Sequence, residues 1–209
     1  MAKTEPFDRF PGRYERWFEK HYYTYESELN AVRKLLPEGK GIEIGVGTGR
    51  FAVPLRIKYG VEPSLKMAKI CKSKGVYVVR GVGEYLPMKD SSFDFSLLVT
   101  TICFLDSVEK TLKEVRRIIK KRGKIVVGFI DRNSPLGYFY QKNRDKNPFY
   151  RVATFFSTEE VVKLLSDAGF GKFRYVQTIF DFPENIKQVQ PVIEGYGIGS
   201  FVVIQAEKI

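Results

Sequence analysis

Cysteine is scarce. Cys71 and Cys103 are the only two in 209 residues, and they are far apart with no CxxC pair. That argues against a disulfide framework and against a zinc site, and no metal is expected. Histidine is scarcer still: His21 stands alone in a helical, aromatic segment. It reads first as structural and second as a candidate catalytic base. Long apolar runs are missing, and SLLVTTICFL (96–105) is far too short to cross a bilayer. The opening stretch MAKTEPFDRFPGRYERWF is charged throughout, so no secretory signal is expected. There is no internal repeat and no low-complexity segment. These absences point to a cytoplasmic protein without a membrane partner.

Acids are also outnumbered: Lys and Arg total 35 against 24 for Asp and Glu, a net charge of +11. Such a balance suits a nucleic-acid partner, an anionic substrate or a solvated Lys-rich surface. The cations are spread over 56–58, 66–74, 110–124 and 142–151 and are mixed with acids, which favours the solvated surface. Hydrophobic residues make up 44% and charged residues 28%, ordinary for a globular chain able to bury a core.

What is present is an alternation of strands and helices. Tyr25, Leu29, Val32 and Leu36 share a helical spacing, and Pro37 and Gly39 stop that helix. GIEIGV (41–46) reads as a strand, followed by a short helix over about 49–55 and a second strand within RIKYGVEP (56–63). SLKMAKICKSKG (64–75) is a helix, VYVV (76–79) a strand, and FDFSLLVT (93–100) a strand apolar enough to be covered on both faces. Asp106 and Glu109 look like a capping box opening a helix that ends in the basic KKRG (120–123). KIVVGFI (124–130) is a fifth strand. Ser157 and Glu160 form a second capping box, and two strands follow at about 171–179 and 199–206. The alternation means βαβ units and a mostly parallel sheet. The least regular piece, 131–156, sits after the fifth strand, where the carboxyl ends of the strands face a ligand crevice.

The stretch GIEIGVGTGRF (41–51) carries the chemistry. A strand, a glycine turn and a helix at the start of an open α/β sheet form a nucleotide-cofactor site. The dinucleotide fingerprint GxGxxG/A fails here, because Arg50 occupies the third small position. The Walker pattern is absent. Glu43 would repel a pyrophosphate and attract an ammonium. Glu62, ending the second strand, can accept hydrogen bonds from both hydroxyls of a ribose. A ligand with a ribose, an ammonium and no phosphate fits S-adenosylmethionine (SAM).

On these residues the chain resembles the class I SAM-dependent methyltransferases, of the small-molecule, type 11-like kind. Gly41–Gly49 matches the family's hhDhGxGxG motif, with Glu43 in the acidic place, and Glu62 matches the acid after the second strand. GVGEYLPMKDSSFDFSLL (81–98), RRIIKKRGKIVVG (116–128) and FFSTEEVVKLLSDAGF (155–170) match further family stretches in the right order. The resemblance covers about 30–206. It implies an α/β, Rossmann-like three-layer sandwich with a seven-stranded, mostly parallel sheet of order 3-2-1-4-5-7-6 and an antiparallel last strand. It implies one methyltransferase domain over 1–209, with 1–36 as a helical cap and 131–156 as an acceptor-side insertion.

For the cofactor, the resemblance implies that Gly45, Val46, Gly47 and Gly49 hold the methionine part, and that Glu62 and Pro63 hold the ribose side. Gly83 and Glu84 lie along the adenine edge, and Val99, Thr100 and Thr101 line the sulfonium pocket. Tyr14, Trp17 and Tyr23 are the aromatic candidates from the N-terminal segment. The chain departs from the family at Val82, where an Asp is usual, at Lys121 and Arg122 in place of a Pro-Gly turn, and at Cys103, where a His is common. Asp131 joins His21 as a catalytic candidate. Asn147-Pro148-Phe149-Tyr150 looks like the signature of adenine amino-methyltransferases, but it follows the fifth strand rather than the fourth and is read as chance.

The expected activity is methyl transfer from SAM to nitrogen or oxygen of a small molecule. The alternatives are an RNA or DNA methyltransferase, a NAD-binding oxidoreductase and a non-catalytic SAM-binding subunit. A basic stripe around the crevice would favour the first of these. The identity of the acceptor and the oligomeric state are not legible in the sequence.

Overall fold

The computed structural model describes residues 3–209. Three helices come first: α1 (Glu5–Arg9), α2 (Pro11–Lys20) and α3 (Tyr22–Leu35). Then follow β1 (Gly41–Ile44), β2 (Tyr59–Glu62), α4 (Leu65–Ser73), β3 (Tyr77–Arg80), β4 (Phe93–Val99), α5 (Val108–Ile118) and β5 (Ile119–Ile130). Two short helices, α6 (Pro135–Lys142) and α7 (Pro148–Arg151), precede α8 (Thr158–Asp167). Strands β6 (Phe170–Thr178), β7 (Ile193–Glu194) and β8 (Phe201–Lys208) come last.

The sheet runs β3-β2-β1-β4-β5-β8-β6-β7. Strands β1 to β5 pair in parallel. β8 is antiparallel to both of its neighbours, β5 and β6. The expected order therefore stands, with one correction: there are eight strands, not seven. The extra one, β7, pairs only Ile193 and Glu194 with β6 and is too short for a period-2 pattern to reveal.

Helices cover both faces, as a parallel sheet requires. On one face α3 and α4 set Val32, Leu35, Ala68 and Cys71 against Leu97, Val99 and Phe201. On the other, α5 and α8 set Leu112, Val115, Val161 and Leu165 against Ile42, Ile44 and Leu98. Alternate residues of β1, β4 and β8 thus feed opposite layers. The N-terminus of α8 is held by its capping box: Ser157 Oγ accepts from Glu160 N, and Glu160 Oε2 accepts from Ser157 N.

Four local expectations need correction. Residues 49–55 form hydrogen-bonded turns rather than a regular helix; Pro54 lacks a donor and Arg56 has φ 57°, so the turn cannot propagate. The cap of α5 is Ser107, not Asp106, because Ser107 Oγ accepts from Lys110 N. KKRG belongs to β5, whose Ile119 already pairs with Phe93. Residues 131–156, read as the least regular piece, hold α6 and α7 and a 3-10 turn at Arg144–Lys146.

Among the described residues no helix is long and apolar enough to cross a membrane, and no group of three or more His, Cys, Asp or Glu is placed to hold a metal ion.

Candidate active site

One deep cavity opens at the carboxyl ends of β1, β2 and β4, under the N-terminal helices. Its floor is the glycine turn. β1 ends at Ile44, and Gly45 and Gly47 then take φ of 71° and 56°, in the left-handed region that costs a side chain strain. A Cβ on Gly45 would stand 2.5 Å from the Thr101 side chain, so this position has no room as well as the wrong dihedral. The turn is tied to β2 through Gly45 N and Val46 N, which both donate to Val61 O.

Glu62 organises this end. Its Oε2 accepts from Gly47 N at 2.9 Å and its Oε1 from Ser64 N at 2.8 Å. Burial pushes its carboxyl up to about 7, against the pull of those two backbone donors; Asp8 adds a little more. Both Glu62 and its neighbour Pro63 line the cavity, as do Gly45 and Gly47.

Glu43 lies beneath the turn instead. It is 2% exposed, does not line the cavity, and accepts from Ala52 N. Its Oε2 has no hydrogen-bond partner, and burial raises its carboxyl well above the usual range. Val46 and Gly49 are likewise off the wall.

The N-terminal helices are clamped to the turn by Glu15 on α2. Its carboxylate accepts from the Thr48 hydroxyl, from Arg50 Nη2 at 2.7 Å and from Lys74 Nζ at 3.4 Å. Arg50, too large for a dinucleotide fold's third glycine position, is therefore the anchor of the cap. The Tyr25 hydroxyl donates to Arg50 O at 2.5 Å, and Ser64 Oγ donates to Asp8 Oδ1 at 2.6 Å. This brings Tyr14 and Trp17 onto the cavity wall, with the Tyr14 hydroxyl beside Gly47. Burial, and then the charges of Glu43 and Glu62, hold the Tyr14 hydroxyl firmly protonated.

Tyr23 is elsewhere: it is 42% exposed, packs on Tyr22 and does not line the cavity. His21 is buried with its ring 5.2 Å from that of Trp17 and is also off the wall.

The opposite wall comes from the loops after β3 and β4. Gly83, Glu84, Val99, Thr100 and Thr101 all line the cavity. Glu84 Oε1 accepts from Asp106 N and Ser107 N, which straps the two loops together. Thr100 has φ 50°, and its N–H donates to Gly128 O at 2.7 Å. Cys103 donates its thiol to Thr100 O, and burial pushes that thiol up to about 12, which disfavours the thiolate at neutral pH.

Asp131, at the end of β5, is buried but absent from the wall. Its carboxylate accepts from Asn133 N, Thr158 N and Thr158 Oγ1. It fastens the start of α8 to the end of β5.

The far end of the cavity is aromatic. Tyr140 on α6 and Tyr150 on α7 stack at 4.2 Å, and Phe149 meets Phe7 at 5.2 Å. Asn147, Phe149 and Tyr150 all line the cavity, so the segment set aside as a chance motif forms part of the pocket. Sequence reasoning missed Glu28. It sits on α3, 5% exposed, and lines the cavity at this end. The signal was available: Glu28 falls three residues after Tyr25 and four before Val32, on the apolar stripe of its helix.

Among the described residues this wall carries four acidic side chains, Glu28, Glu62, Glu84 and Asp106, and two basic ones, Lys3 and Arg13. The left-handed glycines, the acid ending β2 and this surplus of carboxylates fit a ligand with a ribose and a positive charge and no phosphate.

Comparison with known proteins agrees. A family model described as a methyltransferase domain (type 11) matches residues 42–127. An uncharacterized protein of Methanocaldococcus jannaschii is 44% identical over 203 residues, covering 97% of this chain and 98% of its own. A crystal structure from Thermotoga maritima, described as a SAM-dependent methyltransferase and "possible histamine N-methyltransferase", superposes with a TM-score of 0.97 at 56% identity, covering 99% of this chain and 100% of that one. The putative methyltransferase solved with the Haloferax volcanii Trm112 activator shares the fold at a TM-score of 0.70 and 16% identity, over 97% of each chain. This chain belongs to the class I SAM-dependent methyltransferases, and SAM is the cofactor of the enzyme.

Proposed function

We propose that the enzyme methylates a nitrogen or oxygen of a small-molecule acceptor, with the cofactor along the glycine turn and the acceptor at the aromatic end. The observation that carries this reading is the cavity itself: a single space reaches from Gly45 and Glu62 to Tyr140 and Tyr150. Residues 1–36 then act as a cap and 131–156 as the acceptor-side wall of a single domain over 1–209.

In this reading Gly45, Val46, Gly47 and Gly49 shape the backbone cradle for the methionine part. Glu62 has lone pairs left for the ribose hydroxyls after its two backbone bonds, with Pro63 beside it. Gly83 and Glu84 border the adenine, and Val99, Thr100 and Thr101 border the sulfonium. Tyr14 and Trp17 close the space from above. Bound there, SAM supplies an activated methyl group for in-line displacement. The chain supplies orientation and exclusion of water. Neither Asp131 nor His21 lies on the wall, so no base is assigned to either.

The T. maritima relative's description favours nitrogen over oxygen as the accepting atom. A nucleic-acid acceptor is disfavoured by a wall with twice as many acids as cations, since phosphate contacts need the reverse.

Thermal unfolding with SAM, S-adenosylhomocysteine and NAD tests the reading. A ligand at a hundred times its Kd stabilises by about 2.7 kcal/mol. The expected result is a shift with SAM and its product, none with NAD, and loss of the shift in Glu62→Ala. A shift with NAD alone would refute it.

A further inference from the structure

Glu28 has a position that the structural needs of the fold do not explain. It is a carboxyl on a helix face otherwise packed into the core, 5% exposed, with Ala31, Val32 and Leu35 beyond it on the same helix. Among the described residues nothing donates a hydrogen bond to it and no cation pairs with it. A buried carboxyl without a partner is costly unless something compensates for it. What it faces is the cavity, beside the stacked rings of Tyr140 and Tyr150.

Two separate groups of acids surround the cavity. Tyr14, at the glycine turn, feels Glu43, Glu62 and Glu15. Tyr140 and Tyr150 feel Glu28 instead. Glu28 thus stands at the acceptor end, away from the carboxylates of the cofactor end. The tyrosine hydroxyls facing it come from α6 and α7; Glu184 acts on Tyr140 and Cys103 on Tyr150. Aromatic faces around a carboxylate form a receptor for a small organic cation: the carboxylate takes the charge and the rings take the apolar body and the cationic edge.

We infer that Glu28 anchors a protonated amine of the acceptor, and that the substrates of this enzyme are small amines with an aromatic or apolar body. The inference rests on the methyltransferase reading of the same cavity. An ammonium held by Glu28 has no free lone pair. The methyl group therefore goes to a second, neutral atom of the same molecule, whose lone pair forms the new bond to carbon while the sulfur keeps the electron pair of the broken S–C bond. Any proton on the accepting atom leaves to water. Burial raises the Glu28 carboxyl to about 8, so in the free protein it is largely protonated at neutral pH, and an ammonium would replace that proton.

The test compares isosteric amine and alcohol pairs, 2-phenylethylamine with 2-phenylethanol and tyramine with tyrosol, by calorimetric titration of the protein saturated with S-adenosylhomocysteine at pH 7.5. In each pair the amine is expected to bind at least about tenfold more tightly. Glu28→Gln is expected to bring the ratio close to one while leaving the affinity for S-adenosylhomocysteine within about twofold. Amines binding no better than their alcohols would overturn the inference, and the wild-type comparison stands even if the variant misfolds. A preference that survives Glu28→Gln, or a variant that loses S-adenosylhomocysteine instead, would also overturn it. Failure of the wild type to bind S-adenosylhomocysteine at all would strike the methyltransferase reading rather than Glu28.

Discussion

The two ends of the cavity are built in different ways. At the glycine turn the polar groups are already bonded within the protein: Glu62, on the wall, holds Gly47 and Ser64, and Glu15, behind it, holds Thr48, Arg50 and Lys74. Much of that end is backbone, and its shape depends on dihedrals that only glycine tolerates well. At the aromatic end the wall is side chain, from α3, α6 and α7, and its one buried carboxylate has no partner. The first construction suits a ligand whose chemistry does not change. The second suits a ligand that differs from one enzyme to the next, because side chains can be exchanged without altering the backbone.

The largest effect should come from breaking the backbone-built end. Gly45→Val puts a β-branched residue at φ 71° with its Cβ 2.5 Å from Thr101. Strain of this kind costs on the order of 1–3 kcal/mol before the clash is counted. Affinity for S-adenosylhomocysteine should fall by about a hundredfold or more, as read by titration calorimetry. Retained affinity would mean that the turn relaxes and does not shape the cofactor end.

The next prediction sharpens the contrast through pH. Glu28 sits at about 8 in the folded chain against an ordinary 4.5. Between those values the folded state holds a proton that the unfolded chain has lost. The stabilising contribution is therefore complete below about 4.5 and is lost as pH rises through 8. Glu28→Gln carries no such proton. Relative to wild type, the variant should gain stability as pH rises from 5 to 9, by up to about 1.4 kcal/mol for each unit of the shift. Chemical denaturation of both proteins across that range measures it. Parallel curves would mean that Glu28 is solvated or paired in solution.

Glu15→Ala unties the cap from the glycine turn and leaves Arg50 and Thr48 without their shared acceptor. The side chain of Glu15 is partly exposed, so water replaces some of what is lost. A stability loss of about 1–2 kcal/mol is expected, in the range of charged hydrogen bonds. It should come with weaker binding of S-adenosylhomocysteine and an unchanged preference between amine and alcohol. A change confined to the aromatic end would contradict the division drawn between the two.

The same division explains what was legible in the sequence. The backbone-built end leaves marks that a single sequence carries: Gly45, Gly47 and Gly49 at alternate positions, an acid closing β2, and apolar strands alternating with helices. The side-chain-built end leaves few. Helices α6 and α7 are 8 and 4 residues long and each opens with a proline, so no helical period develops and the segment reads as irregular. Glu28 was hidden for another reason. Its spacing from Tyr25 and Val32 places it on the apolar stripe, but one acid on such a stripe passes for a helix-edge charge until the structure buries it together with Thr24 and Ser27. Asp131 misled in the opposite sense. Its place at the end of β5 suggested chemistry, yet the start of α8 takes up its carboxylate. Strand β7 was invisible because two residues have no pattern.

The smallest effect concerns the N-terminal aromatics, which sequence alone did not separate. Tyr14 and Tyr23 both stood as cofactor contacts, nine residues apart in one aromatic segment. The structure turns them to different environments: Tyr14 onto Gly47, Tyr23 into solvent against Tyr22. Tyr23→Ala removes an exposed ring with little packing and should change stability by no more than about 0.5 kcal/mol. Its affinity for S-adenosylhomocysteine should match wild type. Tyr14→Ala, by contrast, opens a gap beside the glycine turn and unpacks Phe18 and Phe149, so it should lose both stability and cofactor affinity. The pair is informative because the substitution is the same and only the end of the side chain's path differs. If Tyr23→Ala weakened cofactor binding as Tyr14→Ala does, the cap would have to close further over the cavity when ligand enters, bringing α3 down onto the glycine turn. The two ends would then be coupled through that helix, which also carries Glu28.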